Sequence, residues 1–426
     1  MLNRATIDSV SAKNPESLTV LDREYPTDSW MNIPPSILAK TVCRLHLQPG
    51  HPLNLLKARI EDHFEKFSKD IGSKGFRVKD SLNPIVTVEQ NFDDLFISKD
   101  HPGRRPTDTY YVNEGHVLRT HTSAHQREAL RTRDAPGYLV TADVYRKDEI
   151  DTSHYPVFHQ MEGIYTFDRA NLETEAALPA SLSTPANVEV TGAKVCSETN
   201  PGQDVHTLRE TELVGAHLRT SLECMVRNIF DDPNLRIRWN DDYFPFTAPS
   251  WEMEVWYQDR WMELCGCGVM KQEILDKTGN ESRIGWAFGF GLERIAMVLY
   301  GIPDIRLFWS MDERFHSQFK NASKSSVVKF QPYSKYPSCY KDISFWCPES
   351  YHENEFSEVV REVAGDRVET VALIDKFTHP KTKRTSRCYR IQYRAMDRTL
   401  TNEEVDSIQE SVRQMVSDKC GVELRG

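Results

Sequence analysis

Apolar residues recur at helical spacing from His51 to Phe67, where Leu53, Leu56, Ile60, Phe64 and Phe67 form one stripe and Lys57, Glu61 and Glu65 mark the wet side. The same spacing returns at Leu218, Leu222, Met225 and Ile229, and again at Leu292, Ile295, Val298 and Leu299. The pattern therefore predicts three helices, each burying one face against a neighbour. Elsewhere the period drops to two. Tyr138 to Tyr145 is β-branched and aromatic, Lys147 to Ser153 is polar and turn-forming, and Tyr155 to Tyr165 is extended again, which predicts a long antiparallel hairpin. Trp251 to Tyr257 and Arg260 to Val269 read as two adjacent strands, and Pro84 to Val88 as a short one.

Gly301 and Pro303 end the third helix, since neither continues one. After a connector the pattern changes to strand Tyr340 to Trp346, helix Glu355 to Val363, strand Val368 to Lys376, strand Cys388 to Tyr393, helix Glu403 to Val416 and strand Val422 to Leu424. That order, βαββαβ, is the ferredoxin-like arrangement. Asp168 to Asp204 is rich in Ala, Ser, Thr, Pro and Glu without apolar periodicity and reads as a solvated insertion. The chain thus divides into an N-terminal extension (1–48), a main domain (49–316, with the insertion at about 168–204), a linker (317–333) and a C-terminal ferredoxin-like domain (334–426), an α+β protein.

Charge narrows the choice of partners. A net charge of −10 argues against indiscriminate nucleic-acid binding, so any RNA contact needs a local basic face. Such a face exists in the sequence between Lys376 and Arg398, where Lys376, Lys381, Lys383, Arg384, Arg387, Arg390, Arg394 and Arg398 stand against the single acid Asp397. Tyr389 and Tyr393 interleave with them and offer stacking surface; the alternative is an ordinary solvated charged face. Nine cysteines with no CxxC pair fit a reducing compartment and no structural zinc, and Cys265 and Cys267 read as small core residues. No stretch is long and apolar enough to span a membrane. The first thirty residues mix Arg4, Lys13 and Arg23 with five acids, unlike an organelle transit peptide.

Candidate chemistry gathers around the hairpin. Its outgoing strand ends on Arg146, a bidentate donor for phosphate or carboxylate, and alternation puts Phe158, Gln160, Glu162 and Ile164 on one face of the return strand. A half-buried hairpin with a polar outer face is the other reading. Downstream, Gly285-Trp286-Ala287-Phe288-Gly289-Phe290-Gly291-Leu292-Glu293-Arg294 runs from a glycine-rich strand into the third helix, with Arg294 among apolar neighbours. A buried guanidinium needs an anion or a carboxylate, and Glu293 is the nearest internal alternative. Glu263, Cys265 and Cys267 should share one strand face, with Gly266 and Gly268 on the other. Phe244 and Phe246 flank Pro245, a pattern that also suits plain core packing.

The Arg146 hairpin and the Gly289-Phe290-Gly291-Leu292-Glu293-Arg294 stretch resemble motifs 2 and 3 of class II aminoacyl-tRNA synthetases. His121-Thr122-Ser123, Phe158-His159-Gln160-Met161-Glu162, Tyr243-Phe244-Pro245-Phe246-Thr247 and Gly285-Trp286-Ala287-Phe288-Gly289 resemble the phenylalanyl-tRNA synthetases, above all their single-chain mitochondrial form. The resemblance runs from about Tyr25 to the C-terminus, with its main gap at the insertion. It implies an antiparallel-sheet class II catalytic domain joined to an anticodon-binding domain, activating phenylalanine with ATP to phenylalanyl-adenylate and transferring it to tRNA(Phe).

By the same resemblance, Arg146 and Arg294 are catalytic, and Ser153, His154, Tyr155 and Glu263 join them around ATP. Glu263 also holds Mg2+. Ser123, Ala124, His125, Gln126, Gln160, Glu162, Phe244, Phe246 and Phe288 surround phenylalanine, and Lys381, Lys383, Arg384, Arg387, Arg390 and Arg394 meet the tRNA. The resemblance further implies a monomer, although Pro84 matches the proline that many class II enzymes use to dimerise, and a place in the mitochondrial matrix. Two other readings stay open on the residues: an RNA-binding paralogue without ligase chemistry, and an adenylating ligase acting on a protein or small amine.

Overall fold

The computed structural model describes residues 15–179, 182, 188–190, 196–323, 327–332 and 336–425. Helix α1 (Pro52–Asp70) opens on His51, whose ring caps the Leu53 N–H, with Pro52 supplying the fixed φ of a first helical residue. All five residues of its predicted stripe are buried. Lys57, expected on the wet side, is buried too, because Asp80 at 2.8 Å and Glu61 at 2.7 Å both pair with it.

Next come strands β1 (Phe76–Lys79), β2 (Gly137–Tyr145), β3 (Val157–Asp168) and β4 (Val188–Val190), then helix α2 (Leu208–Phe230), which starts in a capping box of Thr207 and Glu210. Strands β5 (Ile237–Asp242), β6 (Thr247–Tyr257), β7 (Arg260–Met270) and β8 (Arg283–Gly291) lead into helix α3 (Leu292–Tyr300), closed by Gly301 at φ +71°. The sheet order is β1-β2-β3-β8-β7-β6-β5-β4, parallel at its two outer pairings and antiparallel between.

Helices α1, α2 and α3 cover one face of this sheet. Ile284, Trp286, Phe288 and Phe290 of β8 point into that layer, where Phe288 stacks on Phe64 with centroids 5.5 Å apart. Gly163, opposite Phe288 on β3, leaves the space that this ring fills. The alternate residues Ala287, Gly289 and Gly291 face the other side, and the cleft described below lies over them.

Three boundaries differ from expectation. Leu18, Val20, Ile33, Ile37 and Leu45 of the supposed extension are buried in the main core, as are Phe319 and Phe330 of the supposed linker. Their apolar positions are too few and too irregular to show a period. The predicted strand at Pro84 is Ile85–Thr87, because Thr87 instead caps the short helix Val88–Asn91. The expected insertion begins with helix Leu172–Glu175, with Leu172 buried, and supplies β4 as an edge strand; residues 180, 181, 183–187 and 191–195 of it lie outside the described residues.

The C-terminal domain follows the predicted order: β9 (Cys339–Trp346), α4 (Glu353–Ala364), β10 (Val368–Thr378), β11 (Thr385–Tyr393), α5 (Asn402–Cys420) and β12 (Glu423–Arg425). Its antiparallel sheet runs β10-β11-β9-β12 over its own core. It docks on the main domain through buried polar contacts. Tyr110 donates to Glu358 at 2.8 Å, and Tyr155 to Asp366 at 2.6 Å. Ile150, in the hairpin loop, is buried in the C-terminal core, and Arg361 donates to the carbonyls of Asp148 and Glu149.

Arg306 is the hub of this contact. Its guanidinium grips Asp304 and donates to the carbonyls of Asp366, Val368 and Arg394, with Glu369 at 3.8 Å. Replacing it with alanine strands the buried Asp304 carboxylate and leaves three main-chain carbonyls without their donor, so R306A is expected to lower the unfolding free energy by about 3–5 kcal/mol, read by denaturant titration, with R306K falling between the two.

Candidate active site

The sheet register builds the site. Val140, Glu162, Gly289, Gly266 and Glu252 form one row across five strands, all on the face opposite the helices. A Cβ on Gly289 or Gly291 would meet nothing within 4 Å, so the sheet floor there is open. Over Gly266 the space is taken by the Phe244 ring, which stacks with Phe246 at 6.0 Å. Phe246 packs against the small cluster that includes Ile164 and Ala287. On the other side of the open floor stands Glu162, which accepts a short hydrogen bond from Gln126, with Ser123 and Thr122 nearby. Gln160, one pairing further along, accepts from the Thr122 N–H at 3.2 Å. The result is a slot with an aromatic wall and a carboxyl wall.

Beside the slot opens a cleft of about 260 Å³ lined by Arg146, His154, Phe158, Gln160, Glu263 and Arg294, among others. Arg146 Nε donates to the Thr120 carbonyl at 2.8 Å, and its guanidinium lies 5.2 Å from the Phe158 ring. It makes no ion pair among the described residues, and burial pulls its pKa below the ordinary value. The strand beneath is held by Arg119, fully buried, which donates to the Asp143 carbonyl and carboxylate at 2.6 Å and to the Asn83 carbonyl at 2.7 Å. His154 pairs with Asp151 at 2.8 Å, which raises its pKa. Ser153, exposed, donates to the same carboxylate at 2.9 Å.

Arg294 is half-exposed and reaches Glu263 at 3.5 Å, so its internal partner is Glu263 and not its neighbour Glu293. Glu263 comes to the cleft through a β-bulge. Met253 pairs with Cys265 but Glu254 pairs with Glu263, which leaves Leu264 as the extra residue and resets the alternation. Cys265 and Cys267 are accordingly core residues on the helix side, while Glu263 stands clear of them. The expectation that all three share one face is corrected.

Other expected residues lie elsewhere. Phe288 belongs to the helix side of β8 and cannot meet a ligand in the slot. His125 is buried against Arg119 at 3.0 Å, with Glu128 on its other nitrogen, and so serves the network under Arg146. Ala124 packs in a separate apolar cluster. Tyr155 does line the cleft with Arg146, but its hydroxyl is taken by Asp366. Two further residues join the site: Glu252, which no sequence pattern singles out, and His121, part of the His121-Thr122-Ser123 run but without an assigned role there. Glu252 is pushed up to about 7 by burial and by Glu263, Asp242 and Glu254, and His121 lies beside Arg146 with neither ring nitrogen making a hydrogen bond of normal geometry. The register of β6 is what exposes Glu252, and no local signal in the chain marks it.

The basic stretch also reads differently in three dimensions. Arg384 pairs with Glu423, Arg387 with Glu353, Arg390 with Asp342 and Arg394 with Glu369. Tyr389 and Tyr393 are buried and offer no stacking surface. The exposed aromatic surface is supplied by Tyr340 and Phe377, with Arg390 4.1 Å over the Tyr340 ring. Lys381 and Lys383 stand exposed in the loop between β10 and β11.

Glu162 carries a pH signature. Burial lifts its pKa from 4.5 to about 7. A carboxyl raised on folding contributes stability that is complete below the unfolded value and is lost as pH rises through the folded one. Urea denaturation is expected to show wild-type stability falling by up to about 3 kcal/mol between these limits. The E162Q variant, with no proton to lose, lacks that part of the fall.

Residues 44–182 and 207–319 match the family described as tRNA synthetases class II core domain (F), and residues 334–425 match the ferredoxin-fold anticodon binding domain. The chain is 47% identical over 410 residues to the mitochondrial phenylalanine–tRNA ligase of Mus musculus, covering 96% of this chain and 89% of that protein. Its identity to the Saccharomyces cerevisiae mitochondrial enzyme is 43% over 447 residues, covering 94% of each. To the chloroplastic/mitochondrial enzyme of Arabidopsis thaliana it is 46% over 406 residues, covering 95% of this chain and 85% of that protein. A class II core carrying this cleft, continued into a ferredoxin-fold domain, places the chain: it belongs to the class II aminoacyl-tRNA synthetases, in the phenylalanine–tRNA ligase family.

Proposed function

We propose that this cleft carries out both halves of phenylalanine–tRNA ligation. In the first half the phenylalanine carboxylate attacks the α-phosphorus of ATP, forming phenylalanyl-adenylate and releasing pyrophosphate. In the second the acyl group passes to the terminal ribose of tRNA(Phe) and AMP leaves. The observation that supports this most directly is that Arg146 and Arg294 open on one cleft, and that the cleft adjoins the slot between Glu162 and Phe244.

Each residue's part follows from its surroundings. Arg146, with one guanidinium nitrogen fixed on Thr120 and no carboxylate to neutralise it, donates to the α-phosphate and stabilises charge building on its oxygens. His154 and Arg294 meet the outer phosphates, and the half-buried Phe158 ring offers the base a stacking face. In the slot, Phe244 and Phe246 flank the amino acid's ring. Ser123, Gln126 and Glu162 receive its ammonium, Gln160 its polar end, and His121 offers an unused ring nitrogen nearby. Positioning, not covalent chemistry, supplies the rate.

The carboxyls around Arg294 fit a divalent cation. Glu252 is driven to about 7 because negative charge is in excess there, and a cation would relieve it. Glu263 and Glu252 are the residues that would hold Mg2+ arriving with ATP. When bound, the ion neutralises the triphosphate.

The C-terminal domain is the tRNA-reading part, with Lys381, Lys383 and the exposed Tyr340 and Phe377 as its contact surface. Arg384 and Arg390 line the same outer surface, while Arg387 and Arg394 serve internal pairs. One chain carries both cleft and reader, which supports action as a monomer, and relatives named mitochondrial support the matrix as its place.

Arg146→Ala is expected to reduce phenylalanine-dependent ATP–pyrophosphate exchange by about 10²–10³-fold or more with an unchanged circular dichroism spectrum. Near wild-type exchange, or exchange driven by another of the twenty amino acids, would remove the reading. The double variant K381A/K383A is expected to keep exchange intact while raising KM for tRNA several-fold, and to lower the salt slope of tRNA binding by about 1 for each phosphate no longer neutralised.

A further inference from the structure

Glu293 stands next to Arg294 at the edge of the same cleft, yet both of its carboxylate oxygens are engaged by His159. Its Oε2 accepts the main-chain N–H of His159 at 2.8 Å, and its Oε1 accepts from His159 Nδ1 at 2.7 Å. Both side chains are buried, at 0% and 3% exposure. The register explains the arrangement. Pairing between β3 and β8 ends at Gln160 and Gly291, after which the chain turns into α3 and no strand carbonyl remains for the His159 N–H. The carboxylate takes the place of that missing carbonyl. Behind it, the His159 ring is packed on Trp309 with centroids 6.0 Å apart and on His46 at 5.1 Å.

The position of this pair gives it a meaning beyond packing. His159 lies between Phe158 and Gln160, whose side chains reach the cleft on the other face of β3, and Glu293 immediately precedes Arg294. Beyond the ladder that ends at Gln160 and Gly291, the two hydrogen bonds thus tie the strand that carries Phe158 directly to the helix turn that carries Arg294. We infer that Glu293 and His159 are positioning residues for the adenylation step: their paired hydrogen bonds set the gap between Phe158 and Arg294 into which ATP fits. This rests on the reading that Phe158 and Arg294 meet the nucleotide. Neither Glu293 nor His159 touches substrate. Their effect passes through Phe158 and Arg294, so it falls on ATP; of the residues assigned to phenylalanine only Gln160 adjoins His159, and it has its own hold on the Thr122 N–H at 3.2 Å, while Glu162, Gln126 and Phe244 stand apart from the pair.

The test is steady-state pyrophosphate exchange with full-length variants, separating KM for ATP from KM for phenylalanine. Glu293→Gln keeps the side chain's size but turns an N–H2 group toward one of the two donors, and His159→Phe removes the ring donor. Both are expected to raise KM for ATP by tenfold or more and to leave KM for phenylalanine within twofold. His159→Asn, whose amide nitrogen can stand where Nδ1 stood, is expected to recover most of the loss. Adding Glu293→Gln to Arg294→Ala is expected to cost less than threefold further, because the residue it acts through is gone. The inference is overturned if Arg294→Ala raises KM for ATP while Glu293→Gln and His159→Phe do not. It is overturned equally if these two raise both KM values together with a lowered melting temperature that His159→Asn does not restore. Should Arg294→Ala itself leave KM for ATP unchanged, the nucleotide role of Arg294 fails first and takes this inference with it.

Discussion

The architecture is built around an unneutralised guanidinium. Arg146 sits at the end of a central strand, partly dehydrated, with one nitrogen fixed on a main-chain carbonyl and the rest of its charge directed into a cleft. A cation in that position costs several kcal/mol unless something negative arrives. The fold sustains it through the layer beneath, where Arg119 is saturated by Asp143, Asn83 and His125 and locks the strand in register. The strain on one arginine is therefore carried by the completed hydrogen bonding of another.

The carboxyl side of the site shows the complementary situation. Glu162 and Glu252 stand on either side of Gly289, where the floor is open, and Gly266, which the Phe244 ring covers, and each has its pKa raised to about 7, one chiefly by burial alone and the other by burial among like charges. Neither is comfortable as an anion without a cation to face. The residues that would receive an ammonium group and a metal ion are thus poised near neutrality, and the residue that would receive phosphate is left positive. Such a distribution is stable only while the groups are held apart by a stiff sheet, and the eight-stranded sheet supplies that stiffness.

The C-terminal domain illustrates why local charge is a weak guide. Counting along the chain finds eight cations and one acid between Lys376 and Arg398, but Asp342, Glu353, Glu369 and Glu423 come in from other elements and pair with half of them. Arg398 pairs with Glu404 as well, which leaves Lys376 and the loop with Lys381 and Lys383; the exposed aromatics are Phe377 beside that loop and Tyr340 at the far end of the strands, not the tyrosines interleaved with the arginines. The same domain reaches back to the Arg146 hairpin, burying Ile150 and taking the Tyr155 hydroxyl, so two segments far apart in sequence share one packed seam.

The amino-acid sequence by itself determined the three long helices, the hairpin ending on Arg146 and the βαββαβ order, because these rest on apolar periods repeated over many residues and on turn chemistry that is local. It also nominated Arg146, Glu263 and Arg294, which the fold brings to one cleft, but not Glu252. Where those residues point was decided by tertiary structure. One extra residue at Leu264 swings Glu263 toward Arg294, the end of β8 turns Glu293 onto His159, and pairing parity sends Phe288 to the core and brings Glu252 to the cleft. A period of two is unforgiving of a single inserted residue. The partners that neutralise each buried charge are contributed by strands and helices distant in the chain, so no window of sequence contains them.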